Sequence, residues 1–311
     1  MPLTPVQFQQ IMASAKGLGF AAPIERVDDF SARVLGLNPF QRVADLTPGT
    51  LANIVAQLSG HRESTLRSDN QIPNYAVFDD VAGVTQISGL STYLAQNHDR
   101  KFLDRFSQHA QIRTALQRLG QGHNLEALAA AIMQGLCGFG QATRGSSDQG
   151  VDSFGSKELA RIDRSLIDGT VKAHALEPLS YPGESVYLMA SSKAVVAPGP
   201  GQAPLLDPAH IRELVGGWTI QRSPASAWQG LGIRTLTPLQ LVLVTTYRTS
   251  LASRALCHDL GIQVWAIPQL IFLVCKAAPD TVFDPASGNN FVLAGFRAWW
   301  QERDINRRSP G

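Results

Sequence analysis

Asp152 and Lys193 are the two residues whose chemistry and setting ask for a joint role. Asp152 lies in Gly150-Val-Asp-Ser-Phe-Gly155, held between glycines at the edge of a strand. Lys193 ends the strongest part of SVYLMASSKAVV (185–196), a run of strand character. A carboxylate and a lysine on adjacent strands are what metal-assisted phosphodiester hydrolysis uses. The carboxylate holds Mg2+, the metal polarises the phosphate and lowers the pKa of a bound water, and the lysine neutralises developing charge or positions that water. The same spacing also describes an aspartate shaping a glycine-rich turn and a lysine at a solvated strand end. Asp148, in the same stretch, carries the same double reading. GVDSFGSK is not a phosphate-binding loop, because its glycine, lysine and serine come in the wrong order.

The elements that must position this pair are legible from apolar periodicity. HNLEALAAAIMQGLCGFG (123–140) places apolar residues at 125, 128, 132, 133 and 136, which predicts an Asn124-capped helix ending at Gly138. Strand and loop material follows to residue 156, then a mixed excursion over 157–184. After the turn-rich PGPGQAP (198–204), Asp207-Pro208 starts a helix through IRELVGG (211–217). LQLVLVTT (239–246) is a β-branched apolar run of the kind buried on both faces of a sheet. A helix capped by Thr249 or Ser250, the short strand IQVWAI (262–267) and the helical QLIFLVCK complete it. Strand, helix, strand, helix implies a βαβ unit and an α/β core. Upstream, from Thr4 to about Gly120, the pattern is helical, with start signals at Thr4-Pro5, Asp28-Asp29 and Thr47-Pro48. The segment 68–80 reads as a loop entering a short strand at Tyr75–Phe78.

Read against known families, NLEALAAAIMQGLCGFGQATRGSSDQGVDSFG (124–154 and Gly155) resembles the start of the catalytic domain of Mrr-like restriction endonucleases, within the PD-(D/E)XK nuclease superfamily. IRELVGG and then LVLVTTYRTSLASRALCHDLGIQVWAIPQL (241–270) resemble the closing unit of the same family. The similarity runs in matching order over about 120–275 and leaves 1–119 outside it. It implies an α/β fold, a restriction-endonuclease-like core with a central mixed sheet flanked by helices, plus a mostly helical N-terminal region. It makes Asp152 the metal-binding acid, Lys193 the catalytic lysine and Glu126 the acid borne on the helix. One position departs from the pattern. Where these nucleases usually carry Glu, Asp or Gln two residues before the lysine, this chain has Ser191, a poor Mg2+ ligand. CCGG-cutting restriction enzymes are similar in showing Ser-x-Lys and placing the missing acid on the following helix. Glu213 is the first candidate for that acid and Asp207 the second. From residues alone, Glu126 is out of phase with its helix's apolar stripe and reads as solvent-facing.

Composition bounds the rest. The chain has 311 residues, 44% hydrophobic and 17% charged, which is enough apolar side chain for one or two globular domains and excludes a disordered or coiled-coil protein. A net charge of +2 argues against coating nucleic acid by bulk charge. Only six of the 27 basic residues are lysines, so 21 are arginines, a residue suited to phosphate and guanine edges but also favoured by GC-rich codon usage. Cys137, Cys257 and Cys275 have neither disulfide nor zinc spacing. With no secretion signal and no long apolar run, a cytoplasmic protein that does not enter membranes is expected. Arg100, Lys101, Arg105, Arg113 and Arg118 among helical apolar positions read as phosphate contacts or a solvated face. Trp299 and Trp300 with Arg297, Arg303, Arg307 and Arg308 read as a terminal helix packed on the core or as a DNA clamp. Gln202, Arg222 and Arg234 flank the site as base-reading candidates, and His258 reads as structural.

The expectation is therefore a Mg2+-dependent, sequence-specific endonuclease acting on double-stranded DNA. Residues 1–119 would serve dimerisation or DNA contact, residues 120–311 would form the nuclease domain with its C-terminal helix, and the assembly would be a homodimer or higher homo-oligomer. A methylation-dependent nuclease and a catalytically inactive DNA-binding protein are the alternatives.

Overall fold

The computed structural model describes residues 3–67, 70–119, 122–143, 151–158, 185–195, 203–221 and 239–306. The chain divides into two units, Met1–Ser107 and Gln108–Gly311.

In the first unit Thr4 opens α1 (Pro5–Lys16) with a reciprocal cap: its hydroxyl accepts from the Gln7 N–H and the Gln7 side chain accepts from the Thr4 N–H. There follow β1 (Glu25–Arg26), α2 (Val27–Leu35), α3 (Pro39–Asp45), α4 (Pro48–Arg67), β2 (Tyr75–Asp79), β3 (Thr85–Gly89), α5 (Leu90–Leu94) and α6 (Arg100–Ser107). Asp28 and Asp29 occupy the first turn of α2, where the helix dipole favours negative charge. Ile11, Phe30, Ile54, Leu58, Tyr75 and Ile87 form the core. The unit holds an antiparallel sheet of order β1-β3-β2, where the sequence predicts one short strand. The second strand, TQISG, is too polar to stand out. What closes the hairpin is Asp80, whose Oδ1 accepts from the N–H groups of Ala82 and Val84, with Gly83 at φ 74°.

The second unit runs α7 (His109–Gln117), α8 (Gly122–Cys137), β4 (Phe139–Ala142), β5 (Ser153–Glu158), β6 (Ser185–Lys193), α9 (Pro208–Gln221), β7 (Leu239–Thr245), α10 (Leu251–Asp259), β8 (Gln263–Trp265), α11 (Ile267–Ala277), β9 (Phe283–Asp284), β10 (Asn290–Phe291) and α12 (Leu293–Ile305). α7 buries Ile112, Ala115 and Leu116 and packs on α11, so the unit begins ahead of residue 120, the start expected from sequence.

Its centre is a five-stranded mixed sheet of order β4-β5-β6-β7-β8. β4, β5 and β6 pair antiparallel, whereas β6, β7 and β8 pair parallel. This is the α/β architecture, a mixed sheet flanked by helices, expected for the C-terminal part of the chain. β7 is buried along Leu241–Thr245, as a strand covered on both faces must be.

α8 covers one face. Its residues Leu125 and Ala127–Met133 are all buried, because α8 lies between the sheet on one side and α11 and α12 on the other. A single apolar stripe is therefore too narrow a description of it. Nor does Asn124 cap it: the helix begins at Gly122, and the Asn124 amide donates instead to the Leu119 carbonyl at 2.5 Å. It does end at Gly138, whose φ of 88° suits glycine.

Two glycines let α8 approach the sheet. A Cβ at Gly140 would lie 2.0 Å from the Ala130 carbonyl oxygen, and one at Gly155 would lie 2.8 Å from the Met133 Cβ. Gly140→Ala is expected to destabilise the protein by about 3 kcal/mol, because the obstacle is helix backbone that cannot step aside. Thermal melting would show a drop of roughly 6–12 °C. Gly216→Ala on α9, where a Cβ meets nothing within 4 Å, should melt at or above the wild-type temperature.

The other face is closed by α9 and α10. Ile211 and Leu214 of α9 and Cys257 of α10 join Phe154, Met189, Leu241 and Leu243 of the strands in one buried cluster. Burial pushes the Cys257 thiol up to about 11, consistent with an inert core residue.

Candidate active site on the sheet face

Strand pairing brings the sequence-predicted residues together. Ser153 pairs with Ala190, so Asp152, just ahead of β5, comes opposite Ser191 on β6. Side chains alternate along a strand, which puts Asp152 and Phe154 on the same face as Met189, Ser191 and Lys193. Phe154 and Met189 are buried in the cluster with α9 and α10, and Asp152, Ser191 and Lys193 continue that face towards the end of β6.

Asp152 is tightly held. Its Oδ2 accepts from the Ser191 hydroxyl at 3.1 Å and from the Ser192 N–H at 2.5 Å, while its own N–H donates to the Ala190 carbonyl at 2.9 Å. On the other side the Thr143 N–H donates to the Asp152 carbonyl at 3.0 Å. Ser191 is only 2% exposed. In this structure it orients the carboxylate beside it instead of replacing one.

The strand end bearing Lys193 is clamped by the Thr-Thr pair that ends the β7 run. Thr245 Oγ1 donates to the Lys193 carbonyl at 3.0 Å, and the Thr246 N–H donates to the same oxygen at 3.2 Å. One residue further, Thr246 Oγ1 accepts from the Val195 N–H at 2.7 Å and lies 3.0 Å from the Val195 carbonyl, to which it donates.

The Lys193 side chain reaches α9, where its Nζ lies 3.0 Å from Glu213 Oε2. Glu213 Oε2 also lies 3.2 Å from His210 Nδ1, one turn earlier on the helix. Ile211 and Leu214, both fully buried, fix the helix phase that delivers Glu213. The hydrogen bond from Lys193 and then that from His210 hold the Glu213 carboxyl below its ordinary value of 4.5, against a smaller opposing effect of desolvation. Glu213 is therefore an ionised carboxylate at neutral pH. Both contacts fall on one of its two oxygens.

Asp207 is occupied differently. It precedes Pro208 at the start of α9 and its Oδ1 accepts from the Ala209 N–H at 2.8 Å, which is a helix cap. Glu126 stands half-buried on α8, the helix that covers the opposite face of the sheet. Asp148, Gln202, Arg222, Arg234, Arg307 and Arg308 lie outside the described residues. His258, at 91% side-chain exposure, is a surface group at the end of α10 beside Asp259. The residue that sequence reasoning missed is His210. Its signal was the i, i+3 spacing to Glu213, which puts both side chains on one helix face.

Among the described residues, no group of three or more His, Cys, Asp or Glu side chains is placed to hold a metal. Mg2+ does not require one. It keeps several waters and is commonly held by one or two carboxylates together with substrate phosphate. Asp152 and Glu213 each offer hard oxygen donors of the kind that ion takes, and the Lys193 ammonium beside Glu213 is of the kind that meets a phosphodiester.

No protein-family model matches the chain, and no curated protein sequence matches it. Among solved structures it is similar to the MspJI restriction endonuclease in complex with a 27-mer oligonucleotide, at a TM-score of 0.39 and 15% identity. The similarity covers 66% of this chain and 38% of that one. No helix among the described residues is long and apolar enough to cross a membrane.

Proposed function

We propose that this chain is a restriction-type endonuclease that hydrolyses phosphodiester bonds of double-stranded DNA with Mg2+. The observation that supports it most is the shared sheet face: Asp152 anchored beside Ser191, and Lys193 two residues on, ion-paired to Glu213 at 3.0 Å. These are the residues that the resemblance to Mrr-like nucleases singles out.

In this reading Asp152 and Glu213 hold the Mg2+, and Glu213 stands in for the acid absent at Ser191. The bound ion would polarise the phosphate and lower the pKa of a water on it. The Ser191 hydroxyl and Ser192 N–H keep the Asp152 carboxylate oriented. Lys193 supplies positive charge to the phosphate as negative charge builds on its oxygens, and until substrate arrives that charge is balanced by Glu213. His210 limits the swing of Glu213 through the hydrogen bond to Oε2. Cutting both strands with one such site per chain is most simply done by a two-fold dimer.

The test is incubation of the purified protein with mixed plasmid and phage DNA, with Mg2+ and with EDTA, using methylated and unmethylated copies of one plasmid. Metal-dependent cleavage is expected. Cleavage confined to the methylated copy would favour a methylation-dependent enzyme. Retarded DNA mobility without cleavage under any divalent metal would favour the non-catalytic DNA-binding reading, which the serine at position 191 supports.

A further inference from the structure

A second feature of the C-terminal unit lies apart from Asp152, Lys193 and Glu213. A cavity of about 470 Å3 opens between the end of α7, the start of α8, β10 and α12. Phe291, Phe296 and Trp300 line it together with Arg118, Arg297 and Asn124, and among the described residues no carboxylate does. Phe291 and Phe296 are tilted rings with centroids 5.5 Å apart. Arg118 and Arg297 are exposed, whereas Trp300 is only 7% exposed.

We propose that this cavity binds a nucleoside phosphate, either as a free nucleotide or as one nucleotide of a DNA strand. The volume falls within the range of small-molecule sites. The half-buried Phe291 ring, backed by the buried rings of Phe296 and Trp300, offers a flat ring a face or edge to pack on. Two guanidinium groups, with no lining acid among the described residues, give the opening a positive field, and the planar guanidinium fork matches phosphate oxygens in pairs. Simpler ligands account for less. An inorganic anion would leave the Phe291 ring unused, and a purely apolar ligand would leave both arginines unused. The proposal goes beyond the nuclease reading and needs none of its catalytic residues.

The test is calorimetric titration of the full chain in EDTA, so that cleavage plays no part, with dAMP, dCMP, dGMP and TMP, then with deoxyadenosine, inorganic phosphate and a short single-stranded oligodeoxynucleotide. At least one mononucleotide is expected to bind in the micromolar to low-millimolar range, and both half-ligands about tenfold or more weaker. Arg118→Ala and Arg297→Ala should each weaken binding about tenfold, and Phe291→Ala, which removes the accessible ring, about fivefold. An oligonucleotide that binds more tightly than the mononucleotides, and is weakened by the same variants, identifies a strand as the source. Equal or weaker oligonucleotide binding identifies the free nucleotide. The proposal is overturned if neither mononucleotides nor oligonucleotide bind, if phosphate alone binds as well as a mononucleotide, or if both arginine variants, shown by melting to be folded, bind as wild type does.

Discussion

Asp152→Asn is expected to reduce Mg2+-dependent DNA cleavage about a thousandfold, equivalent to about 4 kcal/mol of transition-state stabilisation. The substitution isolates charge from shape. Asparagine keeps an acceptor oxygen for the Ser191 hydroxyl and the Ser192 N–H, which now meet Asp152 Oδ2 at 3.1 and 2.5 Å. It removes the negative charge and with it one of two hard anionic donors. Melting temperature should stay close to wild type, because the β5–β6 pairing beside it is backbone work. Single-turnover cleavage rates with a common plasmid substrate, compared with thermal melting of the same samples, separate the two effects. A variant that cuts as fast as wild type would remove Asp152 from the chemistry.

Lys193→Met should lower the same rate about a hundredfold or more, since the charge proposed to meet the phosphate is gone while the side chain's stem is largely retained. It carries a second signature on Glu213. The folded-state pKa of Glu213 lies below its ordinary 4.5, with the hydrogen bond from Lys193 the largest cause and that from His210 the next. A depressed carboxyl contributes to stability above its unfolded pKa and loses that contribution as pH falls through the folded value. In wild type the loss therefore falls below the ordinary carboxylate range, and in Lys193→Met the midpoint moves up towards 4.5. Its contribution to overall stability is small because the Glu213 side chain is 54% exposed. Carboxyl-carbon NMR titration of both proteins reads the shift directly, and His210→Phe should move it in the same direction by less. An unchanged Glu213 midpoint in Lys193→Met would mean that the ion pair does not persist in solution.

Much of this arrangement was legible in the sequence because burial leaves a pattern. β7 was readable from its unbroken apolar run, β6 from the stretch ending at Lys193, and α9 from Asp207-Pro208. That last signal held more than a helix start. An aspartate before a proline at a helix N-terminus is committed to capping, and here Asp207 is, leaving Glu213 as the α9 carboxylate that meets Lys193. Other features had no local signature. Whether Asp152 meets Ser191 depends on the antiparallel register of β5 on β6, which is set by partners far apart in the chain. The all-round burial of α8 follows from α11 and α12 arriving from the far end of the sequence. His210 carries no signal by itself, because a histidine is informative only once its neighbour is known to be ion-paired. The arginine excess remains partly a matter of composition, but Arg118 and Arg297 now have a shared setting at one aromatic-lined cavity.

The central claim is that Glu213 supplies the carboxylate missing at Ser191 and, with Asp152 and Lys193, forms one Mg2+-dependent site. The most direct measurement is the cleavage rate of Glu213→Gln, assayed on plasmid and phage DNA in Mg2+ beside wild type and Asp152→Asn. Glutamine keeps the size and a neutral acceptor for Lys193 and His210. Metal-dependent cleavage by wild type is expected, with a Glu213→Gln rate that falls to the level of Asp152→Asn. Cleavage by Glu213→Gln at the wild-type rate would contradict it.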